Sequence, residues 1–187
     1  MNSFLSREEV FALGFASCGE NVKISRHATF YRADLIEIGN NVRIDDFSVI
    51  TGSLRIGNFC HIAAHSVFSG AIDSLIFIDD FCTFAYGVRI FSKSDDYQGN
   101  SMTGSVVPAY LTSAISLPIR IGAHSIIGTS SIVMPGVDVA EGTALGALSL
   151  LKSSTNSWSI YAGIPAKFIK IRSQNSLKLQ KKVALIK

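Results

Sequence analysis

Proton transfer is the chemistry that the side chains of this sequence could most readily perform, and few residues are available for it. Three of the four histidines, His27, His65 and His124, recur at one position of an internal repeat, whereas Asp95 and Asp96 are adjacent in a stretch without the repeat. An aspartate that pairs with a histidine orients and charges its imidazole, so His65 with Asp95 is a candidate acid–base pair. The alternative for His65 is a plain surface turn residue.

A repeat of six residues runs through most of the chain and must position these side chains. Each hexad opens on Ile, Val or Leu, with two exceptions, and carries Ser, Thr, Ala, Val or Cys at its fifth position. The hexads group in threes with a period near 18 residues, and such a fixed period is typical of a solenoid. The hexads open at Cys18, Ile24, Ile38, Ile44, Ile56, Ile62, Ile78, Phe84, Ile121, Ile127, Val133, Val139 and Leu145.

Three short strands per turn predict a triangular prism. The large first residue of each hexad would point inward, and the small fifth residue would fill the corner beside it. Stacked coils would lie about 4.8 Å apart, as neighbouring strands do, and form ladders such as Ile38–Ile56–Ile78. Each coil then buries its inner face only against its neighbours. An ordinary β-sandwich is the alternative, but simple alternation does not produce thirteen hexads.

The hexads and one closing motif resemble the hexapeptide-repeat acyltransferases. The family's Ile-Gly signal recurs at Ile38-Gly39, Ile56-Gly57 and Ile121-Gly122, and residues 161–170 are similar to its exit motif, Y-x-G-x-P-A-K-x-I. The resemblance covers about residues 18–172 and implies an all-β fold, a left-handed parallel β-helix. It also implies a homotrimer. Handedness does not follow from the spacing, and it departs from the usual right-handed crossover.

The longest interruption, residues 91–120, is the predicted active-site loop. Loops longer than about 12–15 residues in compact domains are usually functional or disordered, and the apolar residues of this one favour order. In the family an excursion here reaches toward the neighbouring subunit of a trimer and helps to wall the acceptor site. The alternative is a surface ornament that only packs trimers together.

The resemblance also indicates where a catalytic base belongs. Galactoside, maltose and antibiotic acetyltransferases carry a histidine at the head of this loop, where this chain has Asp95, or Asp96 if the alignment shifts by one. A carboxylate, with an ordinary pKa of about 3.9, suits a sugar hydroxyl poorly, but it is adequate for an amine of pKa about 8, which is already partly neutral. A nucleotide-linked amino sugar is therefore slightly preferred over a sugar hydroxyl as acceptor, in surface-glycan biosynthesis.

Acetyl-CoA is the expected co-substrate. The family lays the coenzyme A arm along the solenoid between two subunits, where small residues let the pantetheine approach the backbone. Core-corner packing is the alternative reason for those small residues. Lys167 and Lys170 in the exit motif could meet the phosphates as point charges, with Lys152 as a weaker candidate. Related chains often have glycine where this one has Leu148. The other contacts expected by motif match are Ala123, Ser131, Ala147 and Ser149.

Two other functions are compatible with the same solenoid. A γ-class carbonic-anhydrase-like enzyme needs three histidines around one metal. His27 and His65 are two coils apart, about 9–10 Å at the spacing of strands, and His61 occupies another face of the repeat. We therefore expect no metal site. A non-catalytic scaffold is the other alternative, and it predicts that no coenzyme A binds.

The composition narrows the class of protein. The chain has 187 residues and 48% hydrophobic content, which a solenoid core plus a subunit interface explains. It has no apolar run of about 18 residues, so no membrane span is expected. The net charge of +3 is too small to indicate nucleic-acid binding. The three cysteines predict a cytoplasmic protein without structural disulfides. The expected partners are a small sugar or nucleotide-sugar acceptor and two further copies of the chain.

The two ends lie outside the repeat. Residues 1–17 would form a capping helix, because Ser6 and Glu9 have the spacing of a capping box and Gly14 would close the helix. By the family resemblance, residues 18–172 would form the β-helix acyltransferase domain. Residues 173–187 would form a short, partly amphipathic helix that packs on the flank of the solenoid. Its expected apolar residues are Leu177, Leu179, Val183, Ala184 and Ile186.

Overall fold

The computed structural model describes residues 3–183 as a triangular solenoid of short parallel strands. Its first face contains β1 (Ser17–Cys18), β4 (Ile36–Ile38), β7 (Leu54–Ile56), β10 (Ile76–Ile78), β15 (Ile119–Ile121) and β18 (Asp138–Val139). The second face contains β2 (Lys23–Ile24), β5 (Arg43–Ile44), β8 (His61–Ile62), β11 (Thr83–Phe84), β16 (Ile126–Ile127), β19 (Ala144–Leu145), β21 (Ser159–Gly163) and β22 (Ala166–Ile171). The third face contains β3 (Thr29–Tyr31), β6 (Val49–Thr51), β9 (Val67–Ser69), β12 (Arg89–Phe91), β17 (Ile132–Val133) and β20 (Leu150–Leu151).

The core consists of ladders of first-position residues, as predicted. On the first face the register aligns Ile38 with Ile56, Ile56 with Ile78, and Ile78 with Ile121, and all four side chains are at most 2% exposed. On the second face Phe84 lies between residues of the neighbouring coils in the same way. The solenoid inferred from the period is therefore confirmed. The inward side chains of each coil pack against those of the neighbouring coils.

The corners explain why the fifth position takes small hydroxyl residues. The Ser125 hydroxyl donates to the Gly122 carbonyl at 2.6 Å, and the Thr143 hydroxyl donates to the Ala140 carbonyl at 2.7 Å. Where the chain turns a corner, some carbonyl groups have no partner in a neighbouring strand. A buried carbonyl group needs a hydrogen-bond partner, because leaving it unpaired costs free energy. A serine or threonine three residues further on satisfies that carbonyl from inside the prism.

The fourth position of the hexad turns the corner in the left-handed region. Phe81 and His124 have φ values of +59° and +60°, which is uncommon for residues other than glycine. Their rings stack along the first corner, between the first and second faces, in a column from Phe59 to Trp158 with centroid distances of 4.9–5.8 Å. At Gly142 the same column has room only for hydrogen, because a side chain there would overlap Trp158.

A short helix flanks the repeat at each end of the described residues. Helix α1 (Arg7–Ala12) begins with the predicted capping box, in which the Glu9 backbone donates to the Ser6 hydroxyl and the Ser6 backbone donates to Glu9. Helix α2 (Asn175–Val183) packs on the solenoid through a 2.8 Å hydrogen bond between Gln180 and His124. Of the apolar residues expected in this helix, Ala184 and Ile186 lie outside the described residues.

The long interruption is ordered and contains a hairpin that the sequence did not reveal. The chain leaves the third face after Phe91 and returns in β15. Between them, β13 (Lys93–Asp95) pairs antiparallel with β14 (Ala114–Ser116), and a 3-10 turn spans Ala109–Leu111. A second 3-10 turn, Ala33–Leu35, lies in the first coil. The loop therefore begins as a two-stranded arm that extends from the third corner, where the third face ends.

Candidate active site

Asp95 ends strand β13 and presents an unoccupied carboxylate. It pairs with Ala114 through the backbone of the hairpin, and its side chain is exposed. Within residues 3–183 no hydrogen bond or ion pair reaches the Asp95 carboxylate. A base must have a lone pair free to take a proton, and Asp95 has that freedom.

The carboxylate of Asp96, the next residue, is already engaged in hydrogen bonds. Its carboxylate accepts hydrogen bonds from the backbone N–H groups of Gln98 at 2.8 Å, Asn100 at 2.7 Å and Ser101 at 3.0 Å. These bonds, with that from Gln98 as the largest contribution, lower the pKa of Asp96 and outweigh the opposing effect of burial. Asp96 therefore orders the turn after β13, and the geometry favours Asp95 over Asp96 as the base.

His65 does not pair with Asp95 in this chain. Its ring is stacked on Phe47 with centroids 5.1 Å apart, and Phe47 is stacked in turn on His27 at 5.3 Å. The three residues occupy the second corner, between the second and third faces, whereas the loop leaves from the third corner. The third face separates the two places. The proposed pair therefore needs correction, because His65 and Asp95 lie at opposite ends of that face.

A different histidine contacts a carboxylate, and the sequence analysis missed it. His61 Nε2 lies 2.8 Å from Asp45 Oδ2, and Arg43 Nε donates to Asp45 Oδ1 at 2.6 Å. Burial opposes ionisation of Asp45, but the hydrogen bonds from Arg43 and His61 outweigh it and lower the Asp45 pKa. The sequence pattern could have predicted this contact. His61 and Arg43 occupy the same hexad position on successive coils, and Asp45 follows two residues after Arg43.

The two serines expected to touch coenzyme A face the core. Ser131 is fully buried and donates from its hydroxyl to the Gly146 carbonyl at 2.8 Å. Ser149 is 2% exposed, and its hydroxyl accepts from the Gly163 N–H at 3.0 Å. The alternative of core-corner packing therefore describes both hydroxyls. Any contribution of these residues to a ligand would come through the shape of the backbone at the corner.

The remaining cofactor candidates are spread over the three corners and strand β22. Ala123 belongs to the first corner, where its carbonyl accepts from the Gly142 N–H at 2.7 Å, while the exposed Ala147 belongs to the second. The exposed Lys167 and Lys170 lie on β22, at the end of the second face. Lys152 is exposed beyond β20, at the third corner.

The second corner of the last coils brings several of the expected cofactor contacts together. Leu148, next to Ala147, is 68% exposed and has a φ of +55°, a conformation that glycine would adopt without strain. The exit-motif turn at Gly163 is bonded to this corner through Ser149. The corner therefore unites Ala147, Leu148 and the exit motif, and Ala123 is not part of it.

Among residues 3–183 no group of three or more His, Cys, Asp or Glu side chains is arranged to hold a metal ion. No helix in that part of the chain has the length and apolar character to cross a membrane.

Comparison with known proteins supplies the family. The model of the bacterial transferase hexapeptide (six repeats) matches residues 36–70. Over 181 residues the chain is 42% identical to a dTDP-4-amino-4,6-dideoxy-D-glucose acyltransferase of Escherichia coli, which covers 95% of this chain and 93% of that protein. The chain belongs to the hexapeptide-repeat acyltransferases. The predicted family is thereby confirmed.

Solved structures of another acyltransferase match this chain over almost its whole length. AntD, an N-acyltransferase from Bacillus cereus, matches in complex with dTDP and 3-hydroxybutyryl-CoA at a TM-score of 0.96 and 38% identity, over 99% of this chain and 98% of AntD. A serine-to-alanine variant of AntD, with dTDP-4-amino-4,6-dideoxyglucose and coenzyme A, matches at 0.93 and 38%, over 99% of each chain. The fold is the left-handed parallel β-helix, and the protein is an acyl-CoA-dependent acyltransferase.

Proposed function

We propose that this acyltransferase transfers an acetyl group from acetyl-CoA to the 4-amino group of dTDP-4-amino-4,6-dideoxyglucose or a closely related nucleotide-linked amino sugar. The observation that carries the proposal is the 42% identity, over nearly the whole of both chains, to an enzyme named for that substrate. The loop adds an independent chemical reason. It offers a carboxylate and no histidine, and a carboxylate is adequate for an amine but weak for a hydroxyl.

Asp95 is the proposed base. Two structures of AntD replace one aspartate with asparagine or alanine, and others replace a serine ten positions earlier. In this chain a small residue, Ala85, also lies ten positions before Asp95. That spacing supports Asp95 as the counterpart of the AntD aspartate, and its carboxylate has no competing hydrogen bond within residues 3–183.

The proposed reaction forms one bond and breaks one. The amine nitrogen bonds to the thioester carbonyl carbon, and the carbon–sulfur bond breaks. Asp95 accepts the proton that the nitrogen loses and returns it to the departing sulfur, so that coenzyme A leaves as the free thiol. The products are an amide and a thiol, and the aspartate is restored for the next turnover.

A homotrimer is part of the proposal, because one chain separates the two halves of the site. The loop arm with Asp95 extends from the third corner, whereas Ala147 and the exit motif belong to the second. Exposed apolar side chains line that second corner, including Phe47 at 54%, Tyr86 at 62% and Leu148 at 68%. A second copy placed against this corner would cover them and bring its own Asp95 to the acyl group.

The cellular setting is proposed on chemical grounds. Cys18, Cys60 and Cys82 are all free thiols, which fits a reducing, cytoplasmic compartment. A nucleotide-activated sugar is a glycosyl donor, so its acylated form would serve the assembly of a surface glycan.

The test is a comparison of two acceptors and two variants. The purified enzyme is assayed with acetyl-CoA by the release of free thiol, with dTDP-4-amino-4,6-dideoxyglucose and with the dTDP-sugar that carries a hydroxyl at C4. We expect the amine to react with a kcat/KM at least about 100-fold higher. Asp95→Asn should lower kcat about 100-fold, as expected for loss of proton-transfer catalysis, whereas Asp138→Asn on the exposed first face should not.

Equal rates with both acceptors would refute the amine assignment. Absence of any coenzyme A binding would instead favour the scaffold alternative. One zinc ion per subunit would favour the metalloenzyme. Full activity of Asp95→Asn would show that another group takes the proton.

A further inference from the structure

A chain of serine hydroxyls ties the root of the Asp95 arm to the solenoid. Ser116, at the end of β14, donates to Asp73 Oδ1 at 2.7 Å, and its hydroxyl lies 2.7 Å from that of Ser74. The Ser92 hydroxyl, just before β13, donates to the Ser74 carbonyl at 2.8 Å. Ser74 is 2% exposed and Ser92 is fully buried, although both are polar. The network therefore joins both strands of the arm to the segment at residues 71–74.

Chemistry sets the direction of these hydrogen bonds. The Asp73 carboxylate can only accept, so Ser116 must donate to it. Ser116 has then used its single hydrogen, so Ser74 must be the donor in the bond between the two hydroxyls. The Ser116 hydrogen bond, as the largest contribution, lowers the pKa of Asp73. Asp73 thus polarises the chain of hydroxyls from its exposed end inward.

Backbone hydrogen bonds also connect the arm to the solenoid. The Ala71 N–H donates to the Ser92 hydroxyl at 2.8 Å, and the Leu117 N–H donates to the Ser92 carbonyl at 2.9 Å. Ser116 pairs directly with Lys93 in the hairpin, and Asp95 lies two residues further out. The orientation of the arm is therefore fixed at its root, on the side of the third corner.

We propose that the network of Asp73, Ser74, Ser92 and Ser116 positions the Asp95 carboxylate for catalysis, with Ser116 and Asp73 as positioning residues. The inference rests on the proposed function of Asp95. Asp95 lies three residues beyond Ser92, about 10 Å along a strand, so a tilt of about 6° at the root displaces the carboxylate by about 1 Å. A misplacement of that size costs up to about 100-fold in rate.

A double-mutant cycle tests this role. Ser116→Ala should lower kcat about 10- to 100-fold and leave the KM for acetyl-CoA within about twofold, because the arm is displaced and the cofactor groove is untouched. Ser116→Thr keeps the hydroxyl and suits a strand, so it should restore most of the rate. Ser113→Ala, on the same arm but outside the network, is the matched control and should keep the wild-type kcat.

The cycle separates the two proposals. If Ser116 acts through Asp95, then Ser116→Ala combined with Asp95→Asn should be no slower than Asp95→Asn alone. Losses that multiply would overturn the positioning role and leave Asp95 as the base, as would a Ser116→Thr variant as slow as Ser116→Ala. An active Asp95→Asn would overturn the base and the positioning role together. Should Ser116→Ala fail to fold, Asp73→Ala at the exposed end of the network gives the same comparison.

Discussion

Replacing Phe84 with alanine should remove one of the most important single contributions to the stability of the solenoid. Phe84 is fully buried, lies between Ile62 and Ile127 in its ladder, and meets Phe68 edge-to-face at 4.9 Å. Phenylalanine-to-alanine changes in cores cost about 3–5 kcal/mol, and the aromatic pair accounts for about 1 kcal/mol of this. We expect about 4 kcal/mol, since the stacked coils of a prism cannot close around the cavity.

Urea unfolding at a fixed protomer concentration measures this loss, because the proposed trimer would make the free energy of unfolding depend on concentration. For a chain of this size the loss corresponds to a fall in Tm of about 8–16 °C. Phe84→Leu fills most of the volume and should cost less than about 1.5 kcal/mol. Hydrogen exchange should rise first near β8, β11 and β16. A loss below 1 kcal/mol for Phe84→Ala, or exchange that rises equally at Val139, would refute ladder-by-ladder stabilisation.

Three further predictions concern the ends and the thiols. The hydrogen bond between Cys82 and Cys60, together with burial, raises the pKa of Cys82. Because Cys60 and Cys82 are both buried, neither thiol should react with DTNB before the protein unfolds. Labelling of either thiol in the native state would contradict this packing. The ion pair with Arg26 lowers the pKa of Glu9 from 4.5 to about 2, so the capping of α1 should be intact above pH 4.5 and lost only as the pH falls through about 2. An NMR titration of Glu9 with a midpoint near 4.5 would contradict this. Lys170→Ala should raise the KM for acetyl-CoA roughly 2- to 5-fold, the effect of one exposed charge, whereas Lys178→Ala on α2 should not.

The sequence was sufficient for the solenoid because one physical rule repeats in it. A large residue every six positions must point inward, and a small one must follow it at the corner, so Ile56 and Ser125 could be assigned without a structure. The hairpin of β13 and β14 breaks that rule. The serine network at its root joins residues 18 or more positions apart, and no local pattern encodes such contacts.

The site was only partly predictable for a similar reason. Asp95 could be chosen from its place at the head of the loop, but the bonds that occupy Asp96 depend on how the following turn folds. The proposed pairing of His65 with Asp95 does not form within one chain, because the two residues lie at different corners of the prism. Ser131 and Ser149 fit both the cofactor-binding motif and the small corner position of the repeat, so the sequence could not distinguish the two roles. In the structure their hydroxyls form hydrogen bonds inside the solenoid.

The product of one reaction tests the central proposal most directly. The enzyme is incubated with acetyl-CoA and dTDP-4-amino-4,6-dideoxyglucose, and the position of the acetyl group is determined by NMR while free thiol is counted. We predict an amide on the C4 nitrogen and one thiol released for each sugar acetylated. An ester on a hydroxyl group, or no product while acetyl-CoA binds, would contradict the proposal.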